Sequence, residues 1–190
     1  MTVARLVEKK GIAYALRALA LVVPRYPALE YTIIGDGPLR GELETLIEEL
    51  QLQQHVRIAG WMGQDALVGC LSRMHLFIAP SVTAGNGDVE GVPVALMEAM
   101  ASGLPVLSTA HSGIPELVED GVSGLLTREM DIDALAENIC RLLAAPASWP
   151  AMARAGRARV EQEFDIEKLN DRLVEKLTKL QALRYGKRLS

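Results

Sequence analysis

Leu29-Glu30-Tyr31-Thr32-Ile33-Ile34 followed by Gly35-Asp36-Gly37-Pro38 reads as a buried strand, a tight glycine turn and the first turn of a helix. The glycine pair permits the turn, and Pro38 suits the first helical position. The same alternation runs outward in both directions. Strands are predicted near Thr2–Leu6, Leu29–Ile34, His55–Ala59, His75–Ala79, Pro105–Ser108 and Ser123–Leu126. Helices are predicted near Gly11–Val23, Pro38–Leu50, Asp65–Arg73, Val92–Ser102, Pro115–Glu119 and Asp131–Ala144. In the last, Ile132, Leu135, Ile139 and Leu142 recur at helical spacing behind an Asp131 cap. Gly103 stands where a left-handed cap would end the fourth helix. Alternating strands and helices imply right-handed crossovers, hence an α/β fold with a doubly wound parallel sheet of about six strands.

The 190 residues, 49% hydrophobic and 23% charged with mean hydropathy +0.16, suffice for one such domain with a real core. A net charge of −4 gives no general attraction for nucleic acid, so a bound anion must be held by a local site. Cys70 and Cys140 fall in separate helices, which is neither a zinc cluster nor a disulfide framework, and a reducing, cytoplasmic setting is expected. Arg17 and Arg25 interrupt the longest apolar stretch, and Met1–Arg5 lacks the apolar core of a secretion signal. Because Thr2 already reads as strand, the sequence has the character of a domain with more chain upstream.

From Trp149 the strands stop. Two helices follow, Pro150–Phe164 and Ile166–Leu183, the second capped by Asp165. This divides the chain into a sheet domain over residues 1–164 and a terminal helix with tail over 165–190. The tail carries Lys176, Lys179, Arg184, Lys187 and Arg188 with no acid after Glu175. It reads first as a solvated helix face. A peripheral contact with anionic lipid is the second reading.

Three places offer chemistry. Gly35 and Gly37 would border a ligand at the carboxyl edge of the sheet, although the dinucleotide fingerprint fails because Arg40 replaces its third glycine. Arg5 and Lys10 flank the step from first strand to first helix, where a helix amino terminus and two cations can hold a diphosphate. The run Glu90-Gly91-Val92-Pro93-Val94-Ala95-Leu96-Met97-Glu98 sets two carboxylates eight residues apart, about 12 Å if helical throughout. Carboxylates suit paired hydroxyls, and Gly91 admits a ligand to the backbone. Ser81–Asp88, rich in small polar residues, is the one conspicuous flexible loop, and it leads directly into Glu90.

These pieces, with Val56-Arg57-Ile58-Ala59-Gly60, Pro80-Ser81, Ala101-Ser102-Gly103-Leu104-Pro105-Val106 and Gly113-Ile114-Pro115-Glu116, occur in the order of the family-four retaining glycosyltransferases of GT-B architecture. The chain resembles their carboxyl-terminal, Rossmann-like, donor-binding domain. The resemblance implies that Arg5 and Lys10 hold the donor diphosphate and stabilise the leaving nucleotide. It implies that Glu90 contacts the hydroxyls of the transferred sugar, and that backbone at Gly91, Val92 and Pro93 faces sugar and phosphate. Glu98 would accept from the ribose, and Gly60, Trp61 and Met62 would border the base. Arg5, Lys10 and Glu90 are thus the implied catalytic group. The donor would be a UDP- or GDP-sugar, with no metal and no other cofactor.

Val92 stands where many members have Phe, and Ser112-Gly113 where Gly-Gly is commoner. With His111 and the long loop before Glu90, these features look closest to colanic-acid-type exopolysaccharide enzymes. The amino-terminal acceptor domain has no counterpart here, and none of His55, His75 and His111 matches its catalytic-site histidine, so all three read as structural or surface residues. The isolated chain is therefore expected to bind donor weakly, to catalyse no transfer alone, and to meet a saccharide or lipid-linked acceptor only through that other domain. Two alternatives are a non-catalytic nucleotide-binding or docking module of the same fold, and a sugar-nucleotide epimerase, which lacks the Glu90–Glu98 context.

Overall fold

The computed structural model describes residues 1–186. In chain order the elements are β1 (Thr2–Val3), α1 (Ile12–Val22), β2 (Tyr31–Ile34), α2 (Arg40–Glu49), β3 (Val56–Gly60), α3 (Gln64–Leu71) and β4 (Phe77–Ala79). Then come α4 (Val94–Ala101), β5 (Val106–Thr109), α5 (Ile114–Leu117), β6 (Leu125–Thr127), α6 (Ile132–Ala144), α7 (Trp149–Glu163) and α8 (Ile166–Gly186). The alternation read from the sequence is present throughout, with most strands and several helices shorter than expected and α8 longer, to Gly186. Beyond Val3 the backbone still bonds downstream, Ala4 N–H to Ile34 O (3.0 Å) and Leu6 N–H to Asp36 O (2.9 Å), but its partner has become the Gly35–Gly37 turn. That is why β1 ends at Val3 and not Leu6.

The expected six-stranded sheet is two parallel three-stranded sheets, β1-β2-β3 and β4-β5-β6. They meet where β1 faces β4: Ile78 N–H donates to Met1 O (2.8 Å), and the Met1 amine donates to Leu76 O (2.8 Å). Beside this seam the Thr2 hydroxyl bonds both Ile78 O and the buried Tyr31 hydroxyl. Read across the seam, the strand order is 3-2-1-4-5-6. Strand order reverses between β1 and β4, and the crevice outside the carboxyl ends of those strands is where such sheets bind ligands.

Two apolar layers cover the faces. On one, α1 turns Ile12, Ala15, Leu16, Leu19 and Val22 inward at helical spacing, against Leu135 and Ile139 of α6. The Asp131 carboxylate caps α6 by accepting from Ala134 N–H (2.9 Å). On the other face, Leu96 and Met100 of α4 meet Phe77, Val106 and Ile114. Gly103 closes α4 with φ of +79°.

Helix α7 belongs to the body. A Cβ at Gly156 would come 3.2 Å from Ser123 O and 3.4 Å from the Met100 side chain, so α7 packs closely on α4 and the loop at Ser123. Arg159 also donates to Glu116 O (2.8 Å). Asp165 starts α8 by accepting from the amides of Glu167 and Lys168 (3.0 and 3.1 Å). Along α8, Ile166, Leu169, Leu173, Leu177 and Leu180 form an apolar stripe, 40–67% exposed. No helix among the described residues is long and apolar enough to cross a membrane. Lys179 pairs with Glu175 (2.6 Å). Lys176 is exposed, and the remainder of the basic tail, the Arg184 side chain with Lys187 and Arg188, lies outside the described residues.

Candidate functional site

Lys10 ends a 3-10 turn, Glu8–Lys10, and is followed by Gly11 at φ +62°. A Cβ at Gly11 would lie 1.8 Å from Pro80 O, so the turn is seated directly on the exit of β4. From there Lys10 Nζ reaches Glu90 Oε2. The side chains are 20% and 14% exposed, and Glu90 Oε2 has no hydrogen-bond partner, so the contact is ionic and largely shielded. The two residues carrying the implied diphosphate and sugar roles thus neutralise one another.

The Ser81–Asp88 loop is tied down, contrary to its flexible composition. Gly85 N–H donates to Glu8 Oε1 (2.9 Å), Lys9 Nζ to Asp88 Oδ1 (3.1 Å) and Val89 O (3.3 Å), and Asp88 N–H to Asn86 Oδ1 (2.9 Å). Local polarity predicted mobility. Long-range partners some 80 residues away in sequence, unreadable from a local window, remove it.

His111, read from the sequence as a structural or surface residue, is joined to Glu90. It is 2% exposed. Its Nε2 accepts from Glu90 N–H (3.1 Å), and its Nδ1 lies 2.7 Å from Glu129 Oε1. The other Glu129 oxygen accepts from Thr83 N–H (2.6 Å). Burial works against the Glu129 charge, but the His111 and Thr83 hydrogen bonds outweigh it and hold its carboxyl below the usual range. His111 stood inside a family motif and could have been singled out there. Glu129 carried no such signal.

Gly91 has open space where a Cβ would stand. Val92 packs on Gly113, and Pro93 is the extended N-cap of α4 (φ −67°, ψ 121°). The helix therefore starts at Val94, two residues later than expected, because the residue before a proline avoids the α region. Glu90 and Glu98 are joined by an extended segment and one helical turn, so the 12 Å rise inferred for a continuous helix does not apply. No side chain caps α4, which leaves the Val94 and Ala95 amides without a side-chain partner.

Glu98, half-buried, accepts from Gln64 Nε2 (3.1 Å). That bond ties it to the start of α3, directly after Gly60, Trp61 and Met62. Trp61 is 80% exposed at the carboxyl end of β3, with its indole free for a planar partner. Gly60 (φ +78°) accepts from Gly35 N–H (2.8 Å). Gly35 and Gly37 serve backbone packing: a Cβ would lie 1.8 Å from Ala4 O and 2.5 Å from Leu6 O respectively. Arg5 is exposed beside this turn, and no ion pair or hydrogen bond among the described residues joins its side chain to Lys10 or Glu90.

A cleft of about 20 Å³ at the β1–β4 reversal is lined by Lys10, Ser81, Pro93 and Ala95. A far larger cavity, about 680 Å³, opens at the amino-terminal edge of the sheets, beside Met1, Tyr26, Tyr31 and Trp149. Size does not decide between them. Lys10 and the uncapped start of α4 line the small cleft, at the end of the sheet where parallel α/β folds bind ligands.

Residues 1–159 match the family described as Glycosyl transferases group 1. The chain belongs to this family. It is 44% identical over 180 residues to the amylovoran biosynthesis glycosyltransferase AmsK of Erwinia amylovora, covering 95% of this chain and 44% of that one. It is 43% identical over 182 residues to the putative colanic acid biosynthesis glycosyltransferase WcaL of Escherichia coli K12, covering 95% and 45%. The crystal structure of Anabaena Alr3699/HepE in complex with UDP superposes with a TM-score of 0.81 at 27% identity, over 94% of this chain and 48% of that one. The resemblance to GT-B glycosyltransferases, and to exopolysaccharide members in particular, is therefore correct. This glycosyltransferase domain spans under half the length of the curated relatives it matches.

Proposed function

We propose that this domain binds the nucleotide-sugar donor of a retaining, metal-independent glycosyltransferase. The donor is a UDP- or GDP-sugar, and the acceptor a saccharide or lipid-linked saccharide in bacterial exopolysaccharide or lipopolysaccharide synthesis. The observation carrying this reading is the arrangement of the two carboxylates. Glu90 sits against the cation Lys10 at one end of the crevice, and Glu98 sits beside the Gly60–Met62 segment at the other. A sugar nucleotide has the same linear order: sugar, diphosphate, ribose, base. Glu90 would accept from sugar hydroxyls, the Gly91–Pro93 backbone and α4 amides would face phosphate, Glu98 would accept from the ribose, and Trp61 would flank the base. HepE binding UDP supports the nucleotide.

The chemistry follows from charge. As the sugar departs with oxocarbenium character, negative charge grows on the diphosphate. Lys10, released from Glu90, and Arg5, swinging in from solvent, stabilise it with the α4 amides, in the role a metal plays elsewhere. The remaining components of the site belong to the acceptor domain, onto which the apolar stripe of α8 would pack. We place the enzyme in the cytoplasm, where nucleotide donors are made, with the basic tail as a candidate contact to the inner membrane face.

The test combines stability and turnover. In excess EDTA, the melting temperature of the chain is expected to rise with UDP or GDP, as required of any ligand that binds only the folded state. The same preparation, given UDP- or GDP-hexose and a saccharide acceptor, is expected to show no transfer. A metal requirement for the shift, or turnover by the pure chain, would refute the proposal. A nucleotide response after Arg5, Lys10, Glu90 and Glu98 are all replaced would favour the docking-module reading.

A further inference from the structure

Glu129, the buried His111 ring and the Glu90 backbone lie in series beside the site. The Glu90 amide can only donate, so His111 Nε2 must accept, and the ring proton must sit on Nδ1, facing Glu129. Glu129 fixes this tautomer with one oxygen and holds Thr83 N–H with the other. A single carboxylate therefore clamps both ends of the 83–90 segment, Thr83 directly and Glu90 through the imidazole. Thr109 O accepts from His111 N–H (2.8 Å) and Ile114 N–H donates to His111 O (3.0 Å), so the ring is carried on a fixed backbone. The charged groups around it are Glu129 on one side and the Lys10–Glu90 pair on the other. His111 meets the site through the Glu90 amide, so its effect on a ligand passes through Glu90.

We propose that His111, held by Glu129, is a positioning residue that sets the Glu90 carboxylate for the donor's sugar, and that sugar recognition depends on it while nucleotide binding does not. The inference rests on the reading of Glu90 as the sugar-hydroxyl acceptor. The two are separable. Nucleotide contacts run through Lys10, Glu98, Trp61 and the α4 amides, none of which is hydrogen-bonded to the His111 side chain. Releasing the Glu90 amide lets its backbone turn, and the carboxylate is then spread over several orientations, of which one fits the sugar. One hydrogen bond of this kind corresponds to about a three- to tenfold change in an equilibrium.

The experiment measures Kd on the 190-residue chain for UDP and UDP-glucose, and for GDP and GDP-mannose, by calorimetry. The readout is the ratio of bare nucleotide to sugar nucleotide. In wild type the sugar nucleotide of the correct base is expected to bind more tightly. His111→Leu should erase that increment, by about three- to tenfold, and leave the Kd of the bare nucleotide unchanged. His111→Gln, which can accept from the Glu90 amide and donate to Glu129, should restore part of it. An increment present in wild type and unchanged in His111→Leu overturns the positioning role alone. No increment in wild type overturns the Glu90 assignment, and the positioning role with it. Should His111→Leu fail to fold, ¹⁵N spectra of the wild-type imidazole decide instead. A proton on Nδ1 with Nε2 unprotonated agrees with the relay, and a proton on Nε2 overturns it.

Discussion

Lys10→Met is expected to weaken UDP or GDP binding by about 10- to 100-fold, the loss of one charge-assisted contact to phosphate. Met keeps the length and apolar stem of lysine, so the effect isolates the ammonium group. The same substitution strands the Glu90 carboxylate in a site where it is 14% exposed and its Oε2 has no hydrogen-bond donor. Folding stability should therefore fall as well, and denaturant titration should show it recovering in Lys10→Met/Glu90→Gln, where no unpaired charge remains. Nucleotide affinity should stay low in that double variant. Recovery of binding together with stability would show that Lys10 acts only as the partner of Glu90 and never meets phosphate.

A chain carrying a free amine at Met1 should become more stable as pH rises from about 5 to 8. Burial of the Met1 ammonium lowers its pKa from 8.0 to about 5, against a small opposing pull from Cys70. In the unfolded chain the amine titrates near its ordinary value, so between these limits the unfolded state binds more protons than the folded state. The sign is then fixed. The stability is fully present above pH 8 and is lost as pH falls toward 5, a change of about 4 kcal/mol at 1.36 kcal/mol per unit. Other groups titrate in this range, so the comparison is with the Nα-acetylated chain, which lacks the ionisation. The large cavity beside Met1 has room for the acetyl group. Denaturant midpoints at pH 5, 6.5 and 8 should diverge between the two proteins toward acid pH. Parallel curves would mean that the amine is hydrated.

What could be read in advance was the part of the fold encoded by short-range pattern. The helix predicted over Gly11–Val23, the Asp131 cap and the Gly103 terminator each rest on patterns within a few turns of helix, and each is present, the first over Ile12–Val22. Family motifs brought Lys10, Glu90 and Glu98 forward because side-chain chemistry and order were both visible. Long-range pairing was not. The Lys10–Glu90 contact, the Glu8 and Lys9 latches on Gly85 and Asp88, and the Glu129–His111 pair each join segments distant in sequence. Nothing near Glu129 in the chain marks it as a partner of His111. Element ends also moved where backbone stereochemistry outweighed apolar pattern, as at Pro93, which delays α4 to Val94. Ser112 shows the same limit: it adopts φ +46°, a left-handed conformation that accounts for glycine being commoner there, yet nothing in its side chain announces it.

We propose Glu90 through Glu98 as the sugar-nucleotide site of this glycosyltransferase domain, with Glu98 on the ribose. The most direct test of this assignment is calorimetric titration of the chain with UDP, GDP and ADP, repeated on Glu98→Ala. Single-site binding of UDP or GDP is predicted, weakened about tenfold or more by Glu98→Ala through the loss of its hydrogen bonds to paired ribose hydroxyls. No heat from any nucleotide, or an unchanged Kd in Glu98→Ala, would contradict it.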